Sequence, residues 1–529
     1  MEIITYQLIL TLARDRIVDS GIISGKRLLP RAQLMDRVAR AASGFNTMGI
    51  GENGAVTIML RNDFSFFEAS MAATLIGAYG VPINWHYKDD ETAYIIDDCG
   101  AVVLVIHADI LPTIEHSIPE GIEVLVVPTP PEIQAAYGID ANDCSVPAGH
   151  TDWNEWVVRQ KPWAKEPTPA RTNMIYTSGT TGRPKGVRRL PTDAEMTARM
   201  AASVATIFDL RPDQPAMRTV ITGPAYHSAP NFYALYAAQS GGLVILQPRF
   251  DAEELLALVK EHNITHLHMV PTMFVRLLKL PEEVRNRHVL SSLKFVAHAA
   301  APCPPEVKRR MIEWWGPAIN EYYGGTETGA TTFHNSQEAL AKPGTVGRAM
   351  ENCEVVIQDE DGKALPPGEI GEIFMRNHNF PDFTYNNADA KRQEMERKGL
   401  FTCGDLGYLD EDGYLFICDR VKDMVISGGV NIYPAEIEVV LIEMPGVNDC
   451  AVFGIPDEEF GASLYTHVIP ETGSDLTVDG VRTYLGQHMA NYKVPKVVKF
   501  VTTLPREDSG KIFKRKLREL YWEGAGRQI

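Results

Sequence analysis

The chain has 529 residues, of which 45% are apolar and 22% charged, with 51 basic against 68 acidic side chains and a net charge of −17. That length implies roughly two to four domains, and the composition is that of a globular protein. So acidic a chain argues against nonspecific binding to nucleic acid or to an anionic membrane, and any anionic ligand must be met by locally concentrated cations.

The N-terminal run MEIITYQLILTLARDRIV has Glu2 where a signal peptide wants a cation, and Arg14, Asp15 and Arg16 cut its apolar stretch short, so it reads as an amphipathic helix. No uninterrupted apolar run reaches membrane-spanning length. Seven cysteines (Cys99, Cys144, Cys303, Cys353, Cys403, Cys418, Cys450) are scattered without a CxxC pair, the usage of reduced thiols in a cytosol. A soluble, cytoplasmic protein is expected.

Next come β-rich runs alternating with helical patterns: AVTIML before FSFFEASMAATLIGA, then AVVLVIH and EVLVVP. Continuous apolar runs of this kind are buried parallel strands, with helices as crossovers. ARTNMIY then reads as a strand entering YTSGTTGRPKGV, residues 176 to 187. Thr177, Ser178, Gly179, Thr180, Thr181, Gly182 and Lys185 combine hydroxyls, flexible amides and an ammonium, a surface able to wrap a polyphosphate. It is not a Walker P-loop: five residues after Gly179 stands Pro184, and Gly186 follows Lys185 where Ser or Thr is required. A plain Ser/Gly linker would not carry Arg183-Pro184-Lys185.

The alternation resumes with GLVILQP and AEELLALVKEH, HLHMVP and TMFVRLLK, LKFVAHAA and PPEVKRRMIEWW. The fold class is therefore α/β, with helices on both faces of the sheets; the chain shows neither repeats nor low-complexity segments. His266 and His268 lie in a predicted strand without a nearby acidic partner, and read as structural rather than metal-binding. In NEYYGGTET, Tyr323 offers a flat face to a base, Thr326 a hydroxyl to a phosphate and Glu327 an oxygen ligand to Mg²⁺.

Past about residue 345 the texture changes to hairpins with Asp-Gly turns, CEVVIQDEDGKALPPGEIGEIFMR and GYLDEDGYLFICDR. In GLFTCGDLGYL, Asp405 follows Gly404 in a predicted loop, where a carboxylate can accept both hydroxyls of a ribose; a solvated turn aspartate is the plainer alternative. A domain boundary is expected between 419 and 420, giving domains 1–419 and 420–529. Arg420 and Lys422 sit at that boundary. Ser427, Gly428 and Gly429 form a predicted mobile loop ahead of a helix near Pro434. Lys511 follows Gly510 on an expected loop tip, before the basic cluster Lys514, Arg515, Lys516 and Arg518. A loop lysine can be swung into a site by domain motion.

Five segments in this order and spacing closely resemble the AMP-forming adenylating enzymes: acyl-CoA synthetases, 4-coumarate-CoA ligases, beetle luciferases and peptide-synthetase adenylation domains. The resemblance spans nearly the whole chain. It implies a large N-terminal domain of stacked α/β sheets plus a β-barrel-like subdomain, and a small mobile α+β C-terminal domain. It assigns the 177–185 loop to the β- and γ-phosphates, Tyr323 to adenine, Thr326 to the α-phosphate and Glu327 to Mg²⁺. The family's Gly-Ala-Pro wall corresponds to Ala300, Ala301 and Pro302, a departure at its first position. Asp405 and Arg420 would hold the ribose, although Cys403 stands where most relatives have Thr or Ser. Lys422 matches the hinge, Lys511 the adenylating lysine, and His227 a gate to the carboxylate site; Ser427, Gly428 and Gly429 would turn towards CoA.

The implied reaction joins a carboxylic acid to CoA at the expense of ATP, through an acyl-adenylate, with ATP, Mg²⁺ and coenzyme A as cofactors and the C-terminal domain rotating between half-reactions. Small residues (Ser228, Ala229, Ala297, Ala299) near His227 leave room for a medium- or long-chain fatty acid or an aromatic acid, against acetate. A fatty acyl-AMP ligase, an enzyme loading a free carrier protein, and a non-catalytic nucleotide sensor stay open as alternatives, as does a homodimer.

Overall fold

The computed structural model describes residues 20–166, 168–177, 183–210, 214–427, 430–457, 460–506 and 512–522. The expected N-terminal amphipathic helix lies outside them. The first layer is a parallel sheet of β1 (Ala55–Met59), β2 (Tyr79–Pro82), β3 (Val103–His107), β4 (Glu123–Val127) and β5 (Thr151–Asp152), in the order β2-β1-β3-β4-β5. β1 and β3 are buried at every residue, which explains their unbroken apolar sequences.

β6 (Ile175–Thr177) and β7 (Lys185–Arg189) pair antiparallel on either side of the hydroxyl-rich loop. The second large sheet begins with β8 (Arg218–Ile221), β9 (Leu243–Leu246), β10 (His266–Met269), β11 (Phe295–His298) and β12 (Ile319–Gly325), all parallel in the order β9-β8-β10-β11-β12. The strand order reverses between β8 and β10. In open α/β sheets, ligands bind at such a switch point, beyond the carboxyl ends of the strands. Helices Arg31–Thr47, Phe64–Leu75 and Ser228–Gln239 fill the space between the two sheets, in one core with Phe45, Phe66, Phe67, Tyr233 and Val244. Helices Ala252–Glu261, Pro271–Leu278 and Pro305–Trp315 cover the outer face around Phe274, Met311 and Trp315.

From β13 (Gly329–His334) the pairing turns antiparallel. β14 (Thr345–Ala349), β15 (Cys353–Gln358) and β16 (Gly371–Asn377) follow; β17 (Phe383–Tyr385) leaves to pair with β7; β18 (Leu400–Leu409) and β19 (Tyr414–Arg420) form the last hairpin. Their order, β15-β16-β18-β19-β14-β13-β12, makes the antiparallel subdomain continuous with the parallel sheet through β12. One sequence expectation is corrected here. Asp405 is not in a loop but inside β18, directly opposite Arg420 of β19, and it is buried.

The smaller C-terminal domain has its own core. Helices Pro434–Ile442 and Val478–His488 pack Ile437, Leu441, Val481 and Leu485 against β20 (Val447–Asp457), β21 (Gly461–Pro470) and β22 (Val497–Phe500). The helix predicted near Pro434 begins there, with proline in its first turn. The C-terminal basic cluster is not a loose tail: it lies on helix Lys514–Trp522, where Lys514 pairs with Glu438 and Arg518 with Asp423.

Candidate functional site

The site assembles where the carboxyl ends of β8, β11 and β12 meet β6, β7, β17 and β18. At the end of β12, Glu327 Oε1 accepts from the Tyr385 hydroxyl at 2.8 Å and from Thr177 Oγ1 at 3.3 Å. The first residue of the expected phosphate loop is thus tied to the residue expected to hold the metal. Beneath them Arg189 is buried, and its guanidinium donates to the carbonyls of Thr326 (2.8 Å), Glu327 (2.9 Å) and Pro381 (2.8 Å). Burial depresses this guanidinium to a pKa of about 10. It fixes the backbone of the Thr326-Glu327 turn from below. Sequence reasoning missed both Tyr385 and Arg189; FTYNN and VRRL carry no motif signal, and only the pairing of β17 with β7 brings them here.

The second group centres on Asp405. The Tyr323 hydroxyl donates to Asp405 Oδ2 at 2.7 Å, and Arg420 Nε stands 3.4 Å from Oδ1. A carboxylate offers about four acceptor positions; with two engaged, Asp405 keeps capacity for a pair of vicinal hydroxyls. Burial, then the Asp405 charge, pushes the Tyr323 phenol well above its ordinary value, so it stays a donor. Burial opposes the charge on Arg420, but Asp405 and Asp423 outweigh it and raise its pKa. Cys403 is half-buried, and desolvation followed by Glu327 and Asp405 holds its thiol well above the ordinary range. It therefore remains a neutral group beside the Asp405 carboxylate. The space is shared tightly: a Cβ on Gly325 would sit only 2.4 Å from Cys403 Sγ.

The local cations come together here, as the acidic net charge requires. Lys185 Nζ lies 5.2 Å above the Tyr385 ring. Its pKa is lowered by burial first and by Lys391 next. Lys422 is lowered by burial, then by Lys185 and Arg420. Cations this close together make a pocket that gains from an anion of several charges. The donor set suits Mg²⁺ as well: one carboxylate, Glu327, beside hydroxyl oxygens matches a cation held mainly by substrate phosphates. Among the described residues, no group of three or more His, Cys, Asp or Glu side chains could hold a metal on its own.

At the switch point, the turn after β8 presents His227, half-buried, as the N-cap of helix Ser228–Gln239, its ring 4.4 Å from that of Tyr226. Asn62 holds this turn, donating to the Gly223 carbonyl (2.9 Å) and accepting from the Ala225 amide (2.8 Å). A cluster of packed rings stands on the same helix and on β10 and β12. His268 Nε2 is 2.8 Å from the Tyr322 hydroxyl, Tyr233 hydrogen-bonds Thr219, and Phe208 packs edge-on against Tyr233, His268 and Tyr322. Both strand histidines are buried and lowered by burial to about 4, in keeping with a structural role. At the end of β11, Ala300 and Pro302 are exposed towards the site, and Ala300 adopts φ +74°. That left-handed conformation explains why glycine suits the first position of the wall.

Ser178, Gly179, Thr180, Thr181, Gly182, Gly428, Gly429 and Lys511 lie outside the described residues. Ser427 ends a short strand, Val425–Ser427, paired with Val430–Ile432.

The sequence profile of AMP-binding enzymes matches residues 18–380, and that of the AMP-binding enzyme C-terminal domain matches residues 436–511. The chain is similar to a feruloyl-CoA synthase of Amycolatopsis, at 33% identity over 95% of this chain and 96% of that one. It is similar to the long-chain-fatty-acid–CoA ligase FadD13 of Mycobacterium tuberculosis, at 30% identity over 93% of this chain and 92% of that one. Among solved structures it is similar to ATP-bound MatB from Rhodopseudomonas palustris, with 27% identity, a TM-score of 0.78 and coverage of 99% and 100%. In fold it also matches the anthranilate CoA ligase AuaEII, with a TM-score of 0.83, 23% identity and coverage of 99% and 98%.

Proposed function

The chain belongs to the AMP-binding enzyme family, and from that premise we propose how the residues of its cleft divide the work. The protein is an AMP-forming acid–CoA ligase: a carboxylic acid and ATP give an acyl-adenylate and pyrophosphate, and CoA then displaces AMP to give the acyl-CoA.

The observation that carries the residue assignment is the convergence of Tyr323, Asp405 and Arg420 on one side, and Thr177, Glu327 and Lys185 on the other, from separate segments of the chain. Asp405 accepts the ribose hydroxyls, held in place by Tyr323 and Arg420. Tyr323 and the Ala300–Pro302 wall enclose the base. Lys185 and Thr177 take the outgoing pyrophosphate, and Thr326 the α-phosphate. Mg²⁺, held through Glu327 and the phosphates, supplies charge neutralisation when bound. The carboxylate enters past His227 and attacks the α-phosphorus in line as the bond to pyrophosphate breaks. Negative charge grows on the phosphoryl oxygens, so fixed cations nearby lower the barrier. Lys511, assigned by its motif, brings a further cation from the C-terminal domain, and rotation near Lys422 exchanges it for the Ser427–Gly429 segment before CoA attacks. A large domain boundary between 419 and 420 fits this motion.

For the acid, the packed rings of Phe208, Tyr233, His268 and Tyr322, on the helix that His227 caps and on the neighbouring elements, favour a planar aryl acid over a long flexible chain. Aryl acids are also named for similar proteins, the feruloyl-CoA synthase and the indoleacetate–CoA ligase of Aromatoleum aromaticum. Pyrophosphate release with ferulate, indole-3-acetate, palmitate and acetate, each with CoA or with a phosphopantetheinylated carrier protein, tests the reading. Ferulate or indole-3-acetate with CoA should be fastest. Palmitate leading would overturn the aryl assignment, and activity restricted to the carrier would overturn CoA as acceptor.

A further inference from the structure

Four ionisable side chains are buried under the nucleotide site, and none of the steps above uses them. His298, Glu321 and His334 are direct register partners across β11, β12 and β13. Lys308 reaches them from helix Pro305–Trp315. All four are buried. The Lys308 ammonium has three N–H donors, and each points at a different strand: to the Glu321 carboxylate on β12, to His334 Nε2 on β13 at 3.1 Å, and to the Thr345 carbonyl on β14 at 3.4 Å. His334 Nδ1 faces the Asn335 carbonyl at 3.0 Å. His334 Nε2 also lies 2.8 Å from the Glu321 carboxylate, so the ring stands against both members of the Lys308–Glu321 pair.

Burial by itself would raise the Glu321 carboxyl; the Lys308 charge and the two histidines outweigh it and hold Glu321 well below the usual range. Burial lowers His298 to about 3, so it is neutral. Its Nδ1 is 3.8 Å from Glu321, beyond hydrogen-bond reach. The charged centre is thus the Lys308–Glu321 pair. Such a pair in a core is no more stabilising than apolar side chains of the same size, because desolvation cancels most of the attraction. What it does supply is direction: the Lys308 ammonium bonds groups on three strands and restrains their spacing, while His298 packs beside the pair with no hydrogen-bond partner on either ring nitrogen.

The elements it ties are those that carry the nucleotide contacts. The wall Ala300–Pro302 lies between His298 on β11 and Lys308 on the following helix, held at one end by the β11–β12 ladder opposite Glu321 and at the other by the Lys308–Glu321 bond. Tyr323, Thr326 and Glu327 follow Glu321 within six residues. Thr345 is opposite Phe416 and donates to the Leu415 carbonyl at 2.8 Å, which passes the restraint to β19 and so towards Arg420. We propose that Lys308, with Glu321 and His334, forms an internal strut of positioning residues that sets the spacing between the Ala300–Pro302 wall and the Tyr323 face and so tunes adenine-nucleotide binding. The inference rests on the nucleotide assignment made above.

Titration calorimetry with AMP separates the two. Wild-type protein that takes up no AMP would overturn the nucleotide assignment and the strut together. With wild type binding, Lys308→Met combined with Glu321→Gln removes both charges and leaves neither buried alone. It should keep its fold while binding AMP about tenfold more weakly; unchanged AMP affinity in the folded double variant overturns the strut alone. In turnover, KM for ATP should rise by the same factor while KM for the acid stays within about twofold. A parallel rise in both would mean general loosening and would also overturn it. Should the double variant fail to fold, His334→Gln keeps a polar group near the Nε2 position, able to meet Lys308 or Glu321, and His334→Leu removes it. Only the leucine variant should lose AMP affinity, and equal affinities in the two would count against the proposal.

Discussion

The Tyr323 hydroxyl donates to Asp405 across 2.7 Å, linking the end of β12 to the middle of β18 over 82 residues of sequence. The aromatic face proposed for the base is therefore fastened to the carboxylate proposed for the ribose, and one cannot shift without the other. Asp405→Asn removes the charge that faces Arg420 and one acceptor position. A hydrogen bond to a charged group contributes about 1.5–3 kcal/mol, so KM for ATP should rise about ten- to a hundredfold in ATP–pyrophosphate exchange. Tyr323→Phe keeps the ring and loses only the donor, and the rise should be about tenfold or less. If the phenylalanine variant matched the asparagine variant, orientation of Asp405 by Tyr323 would be the dominant effect.

Ala300 holds φ +74°, in the left-handed region that glycine adopts more readily than alanine. A left-handed conformation costs an L-residue about 1–2 kcal/mol, partly offset here because glycine would be the more flexible residue in the unfolded chain. Ala300→Gly should therefore raise the melting temperature slightly, by about 1–2 °C, as read by scanning calorimetry. A lower melting temperature would mean that the methyl group makes contacts worth more than the strain.

Lys185 has its pKa lowered from 10.5, by burial first and by the neighbouring Lys391 next. The sign follows directly. A bound polyphosphate favours the ammonium form, so affinity for ATP is full at neutral pH and falls as pH rises through the lowered pKa, at less alkaline pH than for an ordinary lysine. Binding of ATP in that window should draw protons from solvent, measurable as a buffer-dependent heat in calorimetry. Lys185→Arg, which cannot lose its charge there, should abolish the alkaline rise in KM for ATP. A rise that persists unchanged in the arginine variant would assign it to another group.

The alternation of buried strands and helices was legible because β1, β3, β9 and β11 bury every residue and so need unbroken apolar runs. The hairpins after residue 345 were legible through their Asp-Gly turns. Asp405 was read as a loop residue because Gly404 and its polar neighbours interrupt the strand pattern, and Gly404 does take φ +75° within β18. Tyr385, Arg189 and Lys308 were not legible as site-supporting residues. Their partners lie 58, 137 and 13 residues away, and the contacts exist only once the strands are ordered. Motifs report residues that touch a ligand; residues that hold those in place leave no comparable local pattern.

Lys279, at the end of helix Pro271–Leu278, reaches into the C-terminal domain, donating to the Asn448 side chain at 2.8 Å and to its carbonyl at 3.1 Å, with Glu471 at 3.2 Å. Nearby, Glu443 is raised by burial and then by Glu306, a like charge across the same boundary. Attraction and repulsion side by side make a docking that can be released. Lys279→Ala should depopulate this domain orientation, so that one half-reaction slows and the other quickens by about two- to fivefold, since an exposed pair contributes about 0.2–1 kcal/mol. Rates of pyrophosphate release and of thioester formation from supplied acyl-adenylate measure the two. A change of equal sign in both would argue that Lys279 is merely stabilising.

Lys511 separates the half-reactions most sharply. Its motif assigns it to adenylation, where a cation beside the α-phosphate meets the charge that grows as pyrophosphate departs. In thioester formation that charge is already on the leaving AMP, and in the proposed cycle the C-terminal domain has turned away by then. Lys511→Ala should therefore lower pyrophosphate release at least about a hundredfold, a barrier increase of about 2.7 kcal/mol or more, while thioester formation from supplied acyl-adenylate stays within about threefold of wild type. Loss of both to the same extent would contradict a two-orientation cycle and would instead place Lys511 among residues needed in a single arrangement for both steps.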